Sequence, residues 1–385
     1  MKIFTLCLLL ILVGCTIDTP RIPDNQIPSE ITPEEEIPPE DEVALPEEDK
    51  SLFYEFEEDA LMVLENMTIE EKIGQLFLAR CPEDENLSLY LSMKPGGFIM
   101  FGRDFADKTK EEVINHVNYY QQSSTIPMII GVDEEGGTVV RISSNPNLVD
   151  ERFKSPQELF SIGGYEEIIR DTTEKSKILK SLGINLNLSP VADVSTNQED
   201  FIFDRSFGKT AEETAEYVRI TVETTKENNI SSTLKHFPGY GNNVDTHTGS
   251  AYDERPYDEF LRSDFIPFKA GIDAGAESIL VSHNIVKSLD KENPASLSKK
   301  VIDILRNDME FTGIIMTDDL SMGAVSETAM PEVMAVLAGN DMLIVSDLEE
   351  SYNELLSAVS QGVISEQRID ESVLRIIKWK LSLSS

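Results

Sequence analysis

Cysteine is nearly missing from this chain, with 3 among 385 residues. Cys7 and Cys15 fall within or just after an N-terminal apolar stretch, which leaves Cys81 as the one thiol of the body. A lone thiol makes no internal disulfide, so stability has to come from core packing. Cys81 follows an apolar run and lacks the His and Asn neighbours of a thiol nucleophile, and it reads as structural. Positive charge is scarce too: 33 Lys and Arg stand against 70 Asp and Glu, a formal net charge of -37. Like charges repel, which excludes a nucleic-acid backbone or an anionic membrane surface as the main partner and favours a neutral, sugar-like substrate. The apolar run Phe4–Val13 is too short to span a bilayer as a mature helix. No Gly-rich phosphate loop follows the first apolar run of the body, which argues against a dinucleotide-binding sheet.

What is present begins with an address. Met1-Lys2-Ile3 supplies a positive n-region, Phe4–Val13 a short h-region, and Leu12-Val13-Gly14-Cys15 resembles a bacterial lipobox in which Cys15 is lipidated. Residues 1–15 are thus expected to be a lipoprotein signal that places the chain outside the cytoplasm, anchored to a bacterial membrane. Residues 16–50 carry twelve acidic side chains against Arg21 and Lys50, together with 7 of the 18 prolines. Proline and self-repelling charge make an extended, disordered linker, so this acidic stretch reads as a stalk.

From residue 51 to 385 the pattern changes to short apolar runs separated by charged, amphipathic segments. The runs are Ile73–Leu78, Gly97–Phe101, Pro127–Val132, Ile184–Pro190, Ser231–Phe237, Ser278–Ser282, Gly313–Thr317 and Met342–Ser346. Their spacing of about 38 residues leaves room for a helix between strands, and eight such units predict an α/β fold, a (β/α)8 TIM barrel. The first run has helical spacing as well. An apolar fraction of 40% with 17 Phe and 10 Tyr supplies the core. Polar residues close several runs: Asp133, Asp193, Lys235-His236, Ser282-His283 and Asp318-Asp319. In a parallel barrel the C-terminal strand ends converge on one face, where active sites form. Asp and Ser are also favoured helix caps, and Asp319, ahead of Leu320-Ser321-Met322, is expected to be one.

The richest stretch is Leu234–Gly249, which holds two of the four histidines. Lys235 and His236 end a run, Pro238-Gly239-Tyr240-Gly241-Asn242-Asn243 forces a loop, and Asp245-x-His247 sets a carboxylate beside an imidazole. Such a carboxylate orients the ring and favours its protonated form, as a proton donor near neutral pH requires. The spacing of His236, Asp245 and His247 matches no standard zinc arrangement, so no metal is expected. His116 lies in a helical pattern with no turn residues and reads as an ordinary helix position.

Four segments together resemble glycoside hydrolase family 3, specifically its β-N-acetylglucosaminidase branch: Gly131–Gly137, Asp204–Gly208, Lys235–His247 and Ile315–Met322. Glu70–Leu76 is similar to that family's usual entry to the barrel, so the resemblance covers about residues 53–380. It implies a retaining hydrolase that needs no cofactor, with Asp318 as nucleophile and an Asp245/His247 acid/base dyad. That is a departure from the commoner pair of carboxyl groups. An imidazole suits the role because its unperturbed pKa of ~6.5 lies near working pH. Asp133, Arg205, Lys235 and His236 are implied to hold the sugar hydroxyls and N-acetyl group. Tyr240 stands where many members have a histidine. With the chain ending at Ser385, the second α/β domain of larger members is expected to be absent. Members acting on glucosides or xylosides draw their acid/base from that domain, so this chain's own dyad implies terminal β-linked N-acetylglucosamine as substrate, from peptidoglycan or chitin fragments. Phosphorolysis of the same glycosides, a broader β-glycosidase and a non-catalytic sugar-binding lipoprotein are the other readings.

Overall fold

The computed structural model describes residues 51–243, 251–325 and 328–383. The leader, Cys15, the acidic linker and the Asp245/His247 pair therefore lie outside the described residues. Among the described residues ten strands follow one another: β1 Phe77–Arg80, β2 Gly97–Met100, β3 Ile129–Val132, β4 Leu186–Asn187, β5 Ser231–Phe237, β6 Tyr252–Asp253, β7 Ser278–Val281, β8 Ile285–Val286, β9 Ile314–Thr317 and β10 Leu343–Val345. Eight of them form one sheet in the order β10-β1-β2-β3-β4-β5-β7-β9, and every pairing in it is parallel. A parallel bridge between Met316 and Met342 brings the two ends of that order together. The expected (β/α)8 barrel is what the chain forms, with β6 and β8 paired separately.

Seven of the eight apolar runs contain the strands. The first does not start one. Ile69–Gln75 is a helix, and the strand begins only at Phe77. The cause is a capping box: the Thr68 hydroxyl accepts from the Glu71 N–H while the Glu71 carboxylate takes the Thr68 N–H. Ile73 and Leu76, one helical step apart, then face the core together.

Period two along the strands sorts the remaining core. Leu78, Ile99, Ile129, Leu186, Leu280, Met316 and Ile344 point inward and pack together. Phe77, Ala79, Phe98 and Met100 face the surrounding helices. Trp379, from the helix Glu366–Ser382, closes the N-terminal mouth of the barrel. It is fully buried, and its Nε1 donates to Ser231 Oγ at 3.0 Å, at the first residue of β5. With the floor sealed, ligand access is left to the opposite face.

Candidate active site

At the C-terminal strand ends a cavity of about 520 Å³ opens, and Asp133, Arg205, Lys235, His236 and Asp318 all line it. A larger hollow of about 710 Å³ near Leu52, Lys226 and Glu277 sits at the N-terminal ends of β4 and β5 and gathers none of these residues.

Asp133 directly follows β3 and Lys235 lies within β5. Lys235 Nζ reaches Asp133 Oδ1 at 2.7 Å and Glu135 Oε1 at 2.6 Å. Glu135 in turn holds Arg205 through two parallel bonds, 3.0 Å to Nε and 2.7 Å to Nη2. Bidentate carboxylate–guanidinium pairs of this kind fix geometry as well as charge. Burial would raise the Glu135 carboxyl, but the Arg205 and Lys235 cations outweigh it and hold the group well below the usual carboxylate range. Desolvation likewise works against the Arg205 cation, and Glu135 more than restores it.

Chain direction at this corner comes from Gly136 and Gly137, both in the left-handed region, where the added Cβ of Gly136 would meet the Lys154 carbonyl at 2.2 Å. The neighbouring Glu134 points the other way. Its carboxylate takes the N–H groups of Arg141 at 2.8 Å and Ile142 at 2.7 Å, and so pins the segment that returns Arg141 to the cavity.

His236 sits between a carboxylate and a guanidinium. Asp193 Oδ2 is 2.7 Å from its Nδ1 and 3.0 Å from its backbone N, and Arg205 Nη2 is 3.2 Å from its Nε2. The second Asp193 oxygen accepts from Tyr240 N at 2.7 Å. Tyr240 is buried, with its ring edge-on to His236 at 5.5 Å. The residue that stands where many members have a histidine thus packs against His236 and does not line the cavity itself.

Asp318 directly follows β9. Its N–H donates to Val281 O at 3.0 Å, extending the ladder by one residue, and its Oδ1 accepts from Asp319 N at 2.9 Å. Period two carries Asp318 to the same inward side as Met316. Asp319 is not a helix cap. Its Oδ1 accepts from Ser321 N at 2.9 Å, an Asx turn, and the next helix begins at Pro331. An aspartate two residues before an N–H stabilises a turn as readily as a helix start. Asp319 Oδ2 also accepts from Ser346 Oγ at 2.7 Å, and its carbonyl lies 2.9 Å from His283 Nε2, so the loop is held against β10 and the end of β7.

Of the sequence-expected residues, Asp318, Asp133, Arg205, Lys235 and His236 are brought together, while Asp245, His247 and Cys15 fall outside the described residues. Asp193 was expected at this face as a strand-end residue without a role, whereas Glu135 and Arg141 were not expected here. Cys81 is buried beside Tyr120, and burial pushes its thiol up to about 12, in keeping with a structural role. His116 lies on the helix Lys110–Gln122.

Comparison with known proteins agrees with this fold. The glycosyl hydrolase family 3 N-terminal domain matches residues 68–379. The chain is 30% identical over 279 residues to a β-hexosaminidase of Nitrosomonas eutropha, covering 69% of this chain and 77% of that one. A solved family 3 β-N-acetylglucosaminidase from Paenibacillus sp. str. FPU-7 superposes with a TM-score of 0.77 at 29% identity, over 83% of this chain and 64% of that chain. The β-N-acetylhexosaminidase from Beutenbergia cavernae, at 23% identity, shares the fold, with a TM-score of 0.74 over 82% of this chain and 99% of that one. The chain belongs to glycosyl hydrolase family 3.

Proposed function

We propose that this protein is a retaining β-N-acetylhexosaminidase that removes terminal β-linked N-acetylglucosamine. One observation carries the reading: the Asp318 carboxyl group opens into the same cavity as the Asp133–Lys235–Glu135–Arg205–His236 network. The names of the Nitrosomonas eutropha and Paenibacillus relatives support the choice of sugar. In the first step an Asp318 oxygen attacks the anomeric carbon as the bond to the leaving oxygen breaks, and His247, held by Asp245, gives that oxygen its proton. In the second, His247 takes a proton from water, which attacks the same carbon and releases Asp318. Two displacements restore the β configuration. Asp133, Arg205, Lys235 and His236 position the sugar through charge-assisted hydrogen bonds, which places the anomeric carbon for attack.

The test compares a chromogenic β-N-acetylglucosaminide with the matching β-glucoside, with and without phosphate. Preferential cleavage of the acetylated sugar, with the β anomer formed first and no sugar phosphate, is the expected result. Asp318→Ala should lower turnover at least about a thousandfold, in line with losses seen when a covalent nucleophile is removed. Near-normal activity in that variant would sink the assignment, and sugar 1-phosphate as product would make the enzyme a phosphorylase. We further propose that Cys15 carries lipid and that residues 16–50 tether the barrel outside the membrane, where cell-wall or chitin fragments supply the substrate. Labelled fatty acid should enter the wild-type protein and not Cys15→Ser; equal labelling would refute the anchor.

A further inference from the structure

A second hollow, of about 430 Å³, adjoins the active-site cavity, and Ser321 and Ser346 belong to the walls of both. The cavity that holds Asp318 takes the terminal sugar, so whatever runs out past these two serines belongs to the leaving group. Pro331 starts the helix Pro331–Ala338 and puts Glu332 in its first turn. Asp347 caps the helix Leu348–Ser360 by accepting from Glu350 N at 3.1 Å. Glu350 and Glu354 lie one turn apart and share a face of that helix. These four acids line the second hollow, and no Lys, Arg or His does among the described residues.

Ordinary helix chemistry accounts for only part of this clustering. Acids in a first turn are favoured by the helix dipole, which covers Glu332 and Glu350. It does not cover Glu354, in the middle of its helix, where a like charge one turn away is destabilising. Glu332 is 7% exposed, and its Oε1 accepts from Ser351 Oγ at 2.7 Å. Its Oε2 is buried without a hydrogen-bond donor among the described residues. Asp171 Oδ2 and Asp370 Oδ1 share that condition, but each has a cation beside it: Lys175 Nζ at 3.1 Å and Lys72 Nζ at 2.7 Å. Glu332 has instead the Glu354 carboxyl within hydrogen-bond reach. Burial first, then Glu332, push Glu354 up to about 7. Two carboxylates that meet in this way share a proton or receive a cation between them. No group of three or more His, Cys, Asp or Glu among the described residues is placed to hold a metal ion. An ammonium group, compact and with three rotatable donors, suits two carboxylates and their acidic surroundings.

We propose that this hollow is a leaving-group subsite for a primary ammonium, so that glycosides whose leaving group carries a free amine are the preferred substrates. Glu332 and Glu354 are its specificity residues, away from the reacting atoms. The proposal rests on the hydrolase reading above and adds a substrate class to it. The amine can sit on a second, unacetylated sugar or on a group that is not a sugar, and two pairs of probes separate these sources.

The experiment measures kcat/KM in wild type, Glu332→Gln and Glu354→Gln. The first pair of probes is N-acetyl-β-glucosaminyl-1,4-N-acetylglucosamine and the same disaccharide with its reducing sugar unacetylated. The second is 4-(acetamidomethyl)phenyl and 4-(aminomethyl)phenyl N-acetyl-β-glucosaminide. In one pair the amine is expected to exceed its acetylated partner by about tenfold or more, through KM and screened by salt. That pair identifies where the amine sits. The advantage should shrink in acid, where Glu354 takes up a proton, and collapse in both variants, with the acetylated probes kept within about twofold. If Glu332→Gln does not fold, Glu354→Gln, at a half-buried carboxyl, still decides. Turnover of all four probes without preference overturns the proposal and leaves the hydrolase reading standing. A preference that persists in the folded variants would be the general pull of an acidic chain on a cation, and overturns it too. No turnover of any probe would remove the hydrolase reading, and this one with it.

Discussion

The Nδ1 atom of His236 lies 2.7 Å from Asp193 Oδ2, while its Nε2 lies 3.2 Å from Arg205 Nη2. Arginine is a donor only, so Nε2 has to accept, and the proton of a neutral ring then sits on Nδ1, donated to Asp193. Asp193 thereby fixes one tautomer and turns an acceptor toward Arg205. Asp193→Ala should remove that constraint together with the acceptor for Tyr240 N. Buried hydrogen bonds to charged groups contribute about 1.5–3 kcal/mol, so kcat/KM should fall by about ten- to a hundredfold. Asp193→Asn should recover part of it by keeping one acceptor. Steady-state kinetics of both variants decide, and an unchanged kcat/KM in Asp193→Ala would show that the tautomer is irrelevant.

Glu135 bears on stability as much as on the site. Its carboxyl is held well below the ordinary value because Arg205 and Lys235 overcome the burial that would raise it. The folded chain therefore binds fewer protons here than the unfolded one. The stabilisation is complete above the unfolded value of ~4.3 and is lost as pH falls toward the folded value. Glu135→Gln leaves two buried cations under-compensated and should cost about 3–5 kcal/mol at pH 7. Urea unfolding at pH 7 and pH 3.5 checks this. The gap between wild type and variant should narrow at the lower pH, and a gap independent of pH would contradict the ionised state.

The barrel was legible because parallel strands buried on both faces are short, apolar and regularly spaced, with the chemistry-bearing residues at their C-terminal ends. Lys235, His236 and Asp318 were readable on that principle. Glu135 was not: in a chain with 70 acidic residues, a glutamate beside a turn resembles any solvated carboxylate until Arg205 is seen against it. Arg80, which lines the active-site cavity, was hidden for a different reason. Placing the first strand at Ile73–Leu78 ends it before Arg80, whereas the Thr68–Glu71 capping box turns that run into a helix and moves the strand to Phe77–Arg80. The capping signal was in the letters, but helical and strand spacing overlap in a run this short.

Trp379 separates the stability of the barrel from its chemistry. It fills the N-terminal mouth and donates to Ser231 Oγ, at the opposite end of β5 from His236. Trp379→Phe removes that donor and leaves a small void, for an expected loss of about 1–3 kcal/mol. KM for a chromogenic glycoside should stay within about twofold, because nothing at the C-terminal face is touched. Denaturant melts and kinetics on the same sample test both halves, and a large KM change at full stability would show that floor and mouth are coupled.

Arg255 ties down the segment that leads into residues 244–250. It bridges Asp253, with Nη2 to Oδ2 at 2.8 Å, and Asp264, with Nη1 to Oδ2 at 2.9 Å, while Asn243 Nδ2 donates to the same Asp253 oxygen at 3.2 Å. Gly239 makes room for this cluster, since a Cβ there would lie 2.1 Å from Asp264 Oδ1. Burial pushes the Asp264 carboxyl up to about 6, against the opposing pull of Arg255. With the unfolded value near 3.9, the folded chain binds more protons between about pH 4 and 6. Stability from this group is thus greatest in acid, falls as pH rises through that window, and is level above it. Asp264→Asn imitates the protonated carboxyl and should lack the fall. The stability difference, wild type minus variant, is expected to drop by about 2 kcal/mol between pH 4 and 7 in urea titrations. A difference that grows with pH would mean that Arg255 keeps Asp264 ionised throughout, and that the anchoring pair is a full ion pair even in acid.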